Sequence, residues 1–375
     1  MKPKALNSTN NNWKLEPTAF ELVLLVIVIG STFVFSVLMF RPFLTVVTNS
    51  GDNGAFIADA AAIHHWDFHG VAIKAFWGLP YVMALVSVLT RISELASLLV
   101  VSWTSGLVVA FFAQRLWGGF VAGFFLILNF AWMQRMYLGG TESLFMALIC
   151  VAFYAARRDR VYLATILASL ATTVRPVGIF VLLGIGAALV LQRRFKECVF
   201  ATLIGLAIGI LYIVPIGIIY GNPFANVNSY QTYDWAGGRL LSWPFAALGQ
   251  SILHSDVPWT NSVLIIVWVL FIALGFVAIL MAEPAKFIWR KYPWEMIFAV
   301  IYISFLFTYN SPVWARAEFP RFSIPAVPLV LVALHNWLPK DRRILWGIGI
   351  VCAFLAACSA VGIRTAFPHL PLGHQ

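Results

Sequence analysis

Charged side chains are scarce in this chain. Those that interrupt its apolar runs are where chemistry should be sought, because a charge beside hydrocarbon is costly and defaults to a functional role. Asp52 stands in Ser50-Gly51-Asp52-Asn53-Gly54. A carboxylate there can act as a general base that takes a proton from a hydroxyl. Asp52 or Ser50 can equally be the N-cap of a helix running on through 58–62. Asp59 lies seven residues further on, about two helical turns, so it would share a face with Asp52. It offers a second carboxylate, a sugar or acceptor contact, a metal ligand or plain solvation. Glu142 follows Gly139-Gly140-Thr141. Thr141 reads as an N-cap and Glu142 as a first-turn acid favoured by the helix dipole. The functional alternative has Glu142 orienting an acceptor or a catalytic arginine.

Arg175-Pro176 divides an apolar run of about 31 residues. An arginine between two spans wants an anion, either Glu142 or a lipid phosphate. Arg316 and Arg321 precede Pro325 and Pro328 and offer the same guanidinium fork, or else snorkel to the interface. His64-His65-Trp66-Asp67-Phe68-His69 is the densest metal-capable cluster. On a helix, His64 with Asp67 and His65 with His69 have the spacing to hold a divalent ion, though His and Trp are also ordinary at a membrane interface. Tyr233-Asp234-Trp235, close to Tyr230 and Arg239, suits sugar stacking or an interfacial aromatic belt.

The elements that position these residues follow from composition. Hydrophobic residues make up 61% of the 375 positions and charged residues 11%, against about 25% charged in soluble domains. The mean hydropathy is +0.87. A backbone in lipid must satisfy its own hydrogen bonds, so helices or a closed barrel are the only options. The apolar runs approach 20 residues without alternation, so the expectation is an all-α polytopic bundle of about eleven spans. They fall near 20–40, 95–113, 117–134, 141–156, 161–174, 176–191, 197–220, 263–282, 295–310, 323–338 and 344–365, in a single transmembrane domain covering 1–375. The net charge of +10 comes from short basic clusters between apolar runs. That pattern sets membrane orientation and does not point to nucleic acid. The cysteines Cys150, Cys198, Cys352 and Cys358 have no metal-type spacing.

Orientation settles segment 76–90, which is apolar but short. With the N-terminus cytoplasmic and 76–90 not spanning, 16 of the 25 basic residues fall in cytoplasmic segments, as the positive-inside rule asks. If 76–90 spanned, Arg157–Arg160 and Arg193–Lys196 would lie outside. The segment is therefore expected to be an interfacial or re-entrant helix in a large first external loop, 41–94. Further external loops are expected at 221–262 and 311–322. On this topology the unusual acids and arginines gather at one membrane face.

Several short motifs resemble the GT-C superfamily of membrane glycosyltransferases, and together they are spread over most of the chain. Asp52 in SGDNGAF is similar to that family's aspartate after the first span. KAFWGLPYVMAL resembles its proline-bearing external helix, and QRLWGG its basic-then-glycine cytoplasmic turn. LGGTESLF carries Glu142 at a matching acid, ATTVRPVGIF carries Arg175, and RFSIPAVPLV carries Arg321. The resemblance implies a polyprenyl-phosphate sugar donor, most often of mannose, and transfer on the non-cytoplasmic face. The acceptor would be a lipid, glycan or protein, and the membrane a bacterial inner membrane or endoplasmic reticulum. Asp52 would be the base, with Glu142 beside it, and Arg175, Arg316 and Arg321 would meet the donor phosphate. No paired acid follows the first span, so no metal is firmly expected. The weak candidates for a divalent ion are His64, His65, Asp67 and His69. The competing expectations are a lipid-linked sugar transporter or flippase, and a non-catalytic membrane assembly subunit.

Overall fold

The computed structural model describes residues 15–72, 76–233, 236–253, 259–281, 289–311 and 318–362. Helix α1 (Ala19–Phe40) begins at a capping box. Thr18 Oγ1 accepts from the Glu21 N–H, and the Glu21 carboxylate accepts from the Thr18 N–H, satisfying two otherwise orphaned donors. The helix stops at extended Arg41, just before Pro42. The segment that follows carries α2 (Phe43–Thr48), α3 (Asn53–His64) and α4 (Gly78–Thr90). Helix α5 (Glu94–Trp117) is capped by Ser93 and ends at Gly118, at φ +90°. Next come α6 (Gly119–Leu128), α7 (Phe130–Leu138), α8 (Thr141–Arg157), α9 (Val161–Val174), α10 (Ile179–Leu191) and α11 (Phe195–Tyr220). The chain continues through α12 (Ala225–Tyr233), α13 (Ala246–Leu253), α14 (Trp259–Met281) and α15 (Pro293–Thr308). It closes with α16 (Phe319–Phe322), α17 (Val327–Ala333) and α18 (Arg342–Ala360). Among the described residues there is no strand, only an isolated bridge between Leu241 and Tyr309.

Among the described residues, four helices, α1, α5, α11 and α18, are each long and apolar enough to cross a membrane. A fifth span is counted if α6 and α7, bent by 80° at their break, are taken together. Shorter apolar helices fill four of the other expected positions, as α9, the Pro176–Leu191 segment, the Ile265–Met281 part of α14, and α15, and α8 occupies 141–156. The expected span at 323–338 holds only the seven residues of α17. Segment 76–90 contains α4, a helix of 13 residues and thus about 20 Å long. It packs on α3, α5 and the end of α9. Gly78 permits that contact, since a Cβ there would sit 2.7 Å from the Thr173 and Val174 backbone.

The bundle has two chemically different ends. At one, Arg342 grips Glu21 Oε1 at 2.7 Å and the carbonyls of Leu15 and Glu16. Nearby, fully buried Glu295 pairs with Arg157, which also donates to the Leu116 carbonyl at 2.7 Å and lies over the Tyr292 ring. The other end holds the acids and arginines of interest, about 24 Å away along α8. Between them, α1 packs on α18 and α5 and buries Leu22, Leu25, Ile29 and Phe33. The Tyr137 ring fits against Gly30, and its hydroxyl donates to the Val26 carbonyl at 2.9 Å.

Candidate active site

Four chain segments, far apart in sequence, meet at one end of the bundle. Asp52 immediately precedes α3 but makes no side-chain cap, so the capping alternative does not describe it. Its side chain is 61% exposed. Gly51 beside it has φ +56°, a left-handed turn that glycine adopts without strain. Glu142 lies in the first turn of α8, behind Gly139 and Gly140, which have φ +98° and +155°. The position before α8 is Gly140, not Thr141, and no side chain caps it. Arg175 is extended and ends α9, as a residue before proline tends to do. Arg321 sits on α16, a single helical turn.

That turn is held from three directions. The Tyr302 hydroxyl of α15 donates to the Phe322 carbonyl at 2.5 Å, and Trp268 Nε1 of α14 to Ser323 Oγ at 2.5 Å. Asn129, at the α6–α7 break, donates from Nδ2 to the Pro320 carbonyl at 2.9 Å, while its Oδ1 accepts from the Trp132 N–H. The break that interrupts an expected span therefore helps to place Arg321.

Glu142 Oε1 accepts from both Arg175 Nη1 and Arg321 Nε. Arg321 extends its other nitrogens to Glu318 at 3.1 Å and to Asp52 Oδ2 at 3.4 Å. Phe322 carries Arg175 and Arg321 over its ring, at 5.2 and 5.7 Å. The Glu142 side chain is only 2% exposed. Sealed and doubly paired, it fits the role of orienting an arginine, while Asp52 presents a carboxylate to incoming molecules. Among these groups the accessible acid and a bound cation are neighbours, which suits moving a proton beside a developing anion.

Arg135, on α7, was not singled out from sequence. It is buried, and its Nη1 donates to the Ser50 carbonyl at 3.3 Å. The available signal was its isolation: it is the single charged residue between Arg115 and Glu142. Arg135, Arg175 and Arg321 face Asp52, Glu142 and Glu318, three charges of each sign.

The remaining candidates separate from this group. Asp59 does not join Asp52. It is buried under the segment after α3 and accepts from the Ala72 N–H at 2.8 Å. Its other oxygen is buried and has no hydrogen-bond partner among the described residues, and burial pushes its carboxyl up to about 6, partly offset by the Ala72 N–H. The histidine cluster is not helical throughout: α3 ends at His64, and Trp66 turns left-handed at φ 60°. His64 Nδ1 pairs with Glu94 at 2.9 Å and its ring stacks on His65, while Asp67 accepts from the Gly70 N–H and His69 is exposed. Among the described residues, no three metal-capable side chains converge. Asp234, Trp235 and Arg316 lie outside the described residues, as does the Tyr233 side chain.

No family model matches the chain, and no curated protein matches it. Among solved structures it is similar to the crystal structure of ArnT from Cupriavidus metallidurans bound to undecaprenyl phosphate. The likeness covers 95% of this chain and 68% of that one, at 17% identity and a TM-score of 0.52. The chain therefore has the fold of that protein.

Proposed function

We propose that the protein is a membrane glycosyltransferase that moves a sugar from a polyprenyl-phosphate donor to a hydroxyl of a lipid, glycan or protein acceptor. The observation that carries this reading is the pairing of the one well-exposed acid of the cluster, Asp52, with Arg321 at 3.4 Å. The fold supports it, since the similar ArnT structure holds undecaprenyl phosphate. Asp52 takes the proton of the acceptor hydroxyl. The freed oxygen pair attacks the anomeric carbon of the sugar. The bond from that carbon to the phosphate oxygen breaks, and the polyprenyl phosphate leaves with its electrons. Arg321, held in place by Glu142 and with Arg316 as a further candidate, neutralises the charge that grows on the phosphate. Attack opposite the leaving group inverts the anomeric centre.

On this reading the shorter apolar helices also cross the bilayer. Together with α8 and segment 323–338 they bring the count to the eleven expected segments, with the N-terminus cytoplasmic and Asp52 on the non-cytoplasmic face. Mannose is the first sugar to test. Purified protein incubated with radiolabelled polyprenyl-phosphate mannose and a membrane lipid extract should transfer label, and Asp52→Asn should not. Equal turnover by both proteins would remove Asp52 from the role of base. If neither binds the donor, the glycosyltransferase reading itself fails in favour of transport or assembly.

A further inference from the structure

The turn carrying Asp52 is fastened to the end of α7 on both sides. Before Asp52, Arg135 Nη1 donates to the Ser50 carbonyl at 3.3 Å. After it, the fully buried Asn53 donates from Nδ2 to both the Val47 and Leu138 carbonyls, each at 2.8 Å. Between these two fastenings, Gly51 lies flat on the Arg135 guanidinium, and a Cβ at Gly51 would sit 2.6 Å from Nη2. Gly140 admits the same side chain from the other flank, where a Cβ would be 2.9 Å from Arg135 Cδ.

Among the described residues, no carboxylate comes within ion-pair distance of Arg135. A buried arginine without a contacting acid is expensive, and a neutral side chain would pack at this position without that cost. The charge sits where it can do two things. It grips a carbonyl of the turn, and it faces Asp52, Glu142 and Glu318 through space.

We infer that Arg135 is a positioning residue. It holds the Ser50-Gly51-Asp52 turn so that the Asp52 carboxylate stays at the Arg321 side of the cleft. It does not contact the donor phosphate; Arg321 does that. The catalytic part of this inference rests on the glycosyltransferase reading, whereas the fastening of the turn does not.

The test uses the full chain in detergent or nanodiscs, with Arg135→Met, Arg135→Lys and Gly51→Ala. Hydrogen exchange over residues 49–54 is read first, because it needs no activity. Exchange should quicken at least about 10-fold in Arg135→Met and Gly51→Ala, and return towards wild type in Arg135→Lys, whose ammonium can still donate to one carbonyl. Unchanged exchange in both Arg135→Met and Gly51→Ala overturns the inference. If Arg135→Met does not fold, Gly51→Ala, on an exposed turn, decides alone.

Kinetics follow with radiolabelled polyprenyl-phosphate mannose. A base displaced by about an ångström loses about 100-fold in kcat, with KM for the donor within about 2-fold of wild type. A raised donor KM at unchanged kcat would make Arg135 a phosphate ligand instead and overturn the positioning role. A wild type that neither binds the donor nor transfers sugar, but shows the exchange pattern above, would sink the glycosyltransferase reading and leave the fastening of the turn established.

Discussion

Arg321 is a shared resource. Its guanidinium is already committed to Glu142, Glu318 and Asp52, so an incoming phosphate must displace one of them. Asp52 is the easiest to displace, with the longest contact and the most exposed side chain. Asp52→Asn should therefore abolish transfer and at the same time tighten undecaprenyl phosphate binding. The gain is about 3- to 5-fold, from the ~1 kcal/mol of an exposed ion pair. Weaker binding in that variant, measured by microscale thermophoresis, would show that the carboxylate does not compete with phosphate. Asp59 supplies a pH dependence of a different kind. Its folded pKa, about 6, lies above the usual value near ~3.9. The protonated form is therefore favoured by folding, and the stabilising contribution is present at low pH and lost as pH rises through about 6. Asp59→Asn should raise the melting temperature at pH 7.5, and the advantage should disappear by about pH 4. A variant melting below wild type at pH 7.5 would contradict this sign.

Among the elements, the α6–α7 break and the α9–α10 junction are what bring the site together. Asn129 ends one helix, caps the next and holds Pro320. Asn129→Ala should cost about 1 kcal/mol for the lost cap and, through the released α16 turn, a larger loss in kcat than in stability. Activity equal to wild type would show that the remaining bonds to Phe322 and Ser323 place Arg321 unaided. At the far end, Arg157 and Glu295 are an internal pair in which removal of one partner strands the other. Glu295→Ala should cost about 3–5 kcal/mol, whereas Arg157→Met with Glu295→Met should be far milder, since burial of two charges is itself costly. Thermal unfolding of both variants checks this. A double variant as unstable as the single one would mean that the pair is not what holds α8 to α15.

Across the whole molecule, composition alone required a membrane bundle: too few charges exist to cover a watery surface. Helix ends have local causes, as with Thr18 before α1 and Glu21 in its first turn, Ser93 before α5 and Pro176 after α9. The positions of Asp52, Glu142, Arg175 and Arg321 were legible because each interrupts an apolar run, where a charge needs a reason to be. Their partners were not legible. Glu142 and Arg321 are 179 residues apart, and Asp52 and Arg321 are 269 apart. Helical periodicity carries no information across such distances. Periodicity also misplaced Asp59, which lies on the helix that Asp52 immediately precedes but packs apart from it under Ala72. Arg135 went unnoticed because its purpose lies in a turn that is remote in sequence. The sequence by itself determined which segments prefer lipid and which side chains could not rest there. Only the tertiary structure decided which charge meets which, because that depends on how bent and broken helices stack in space.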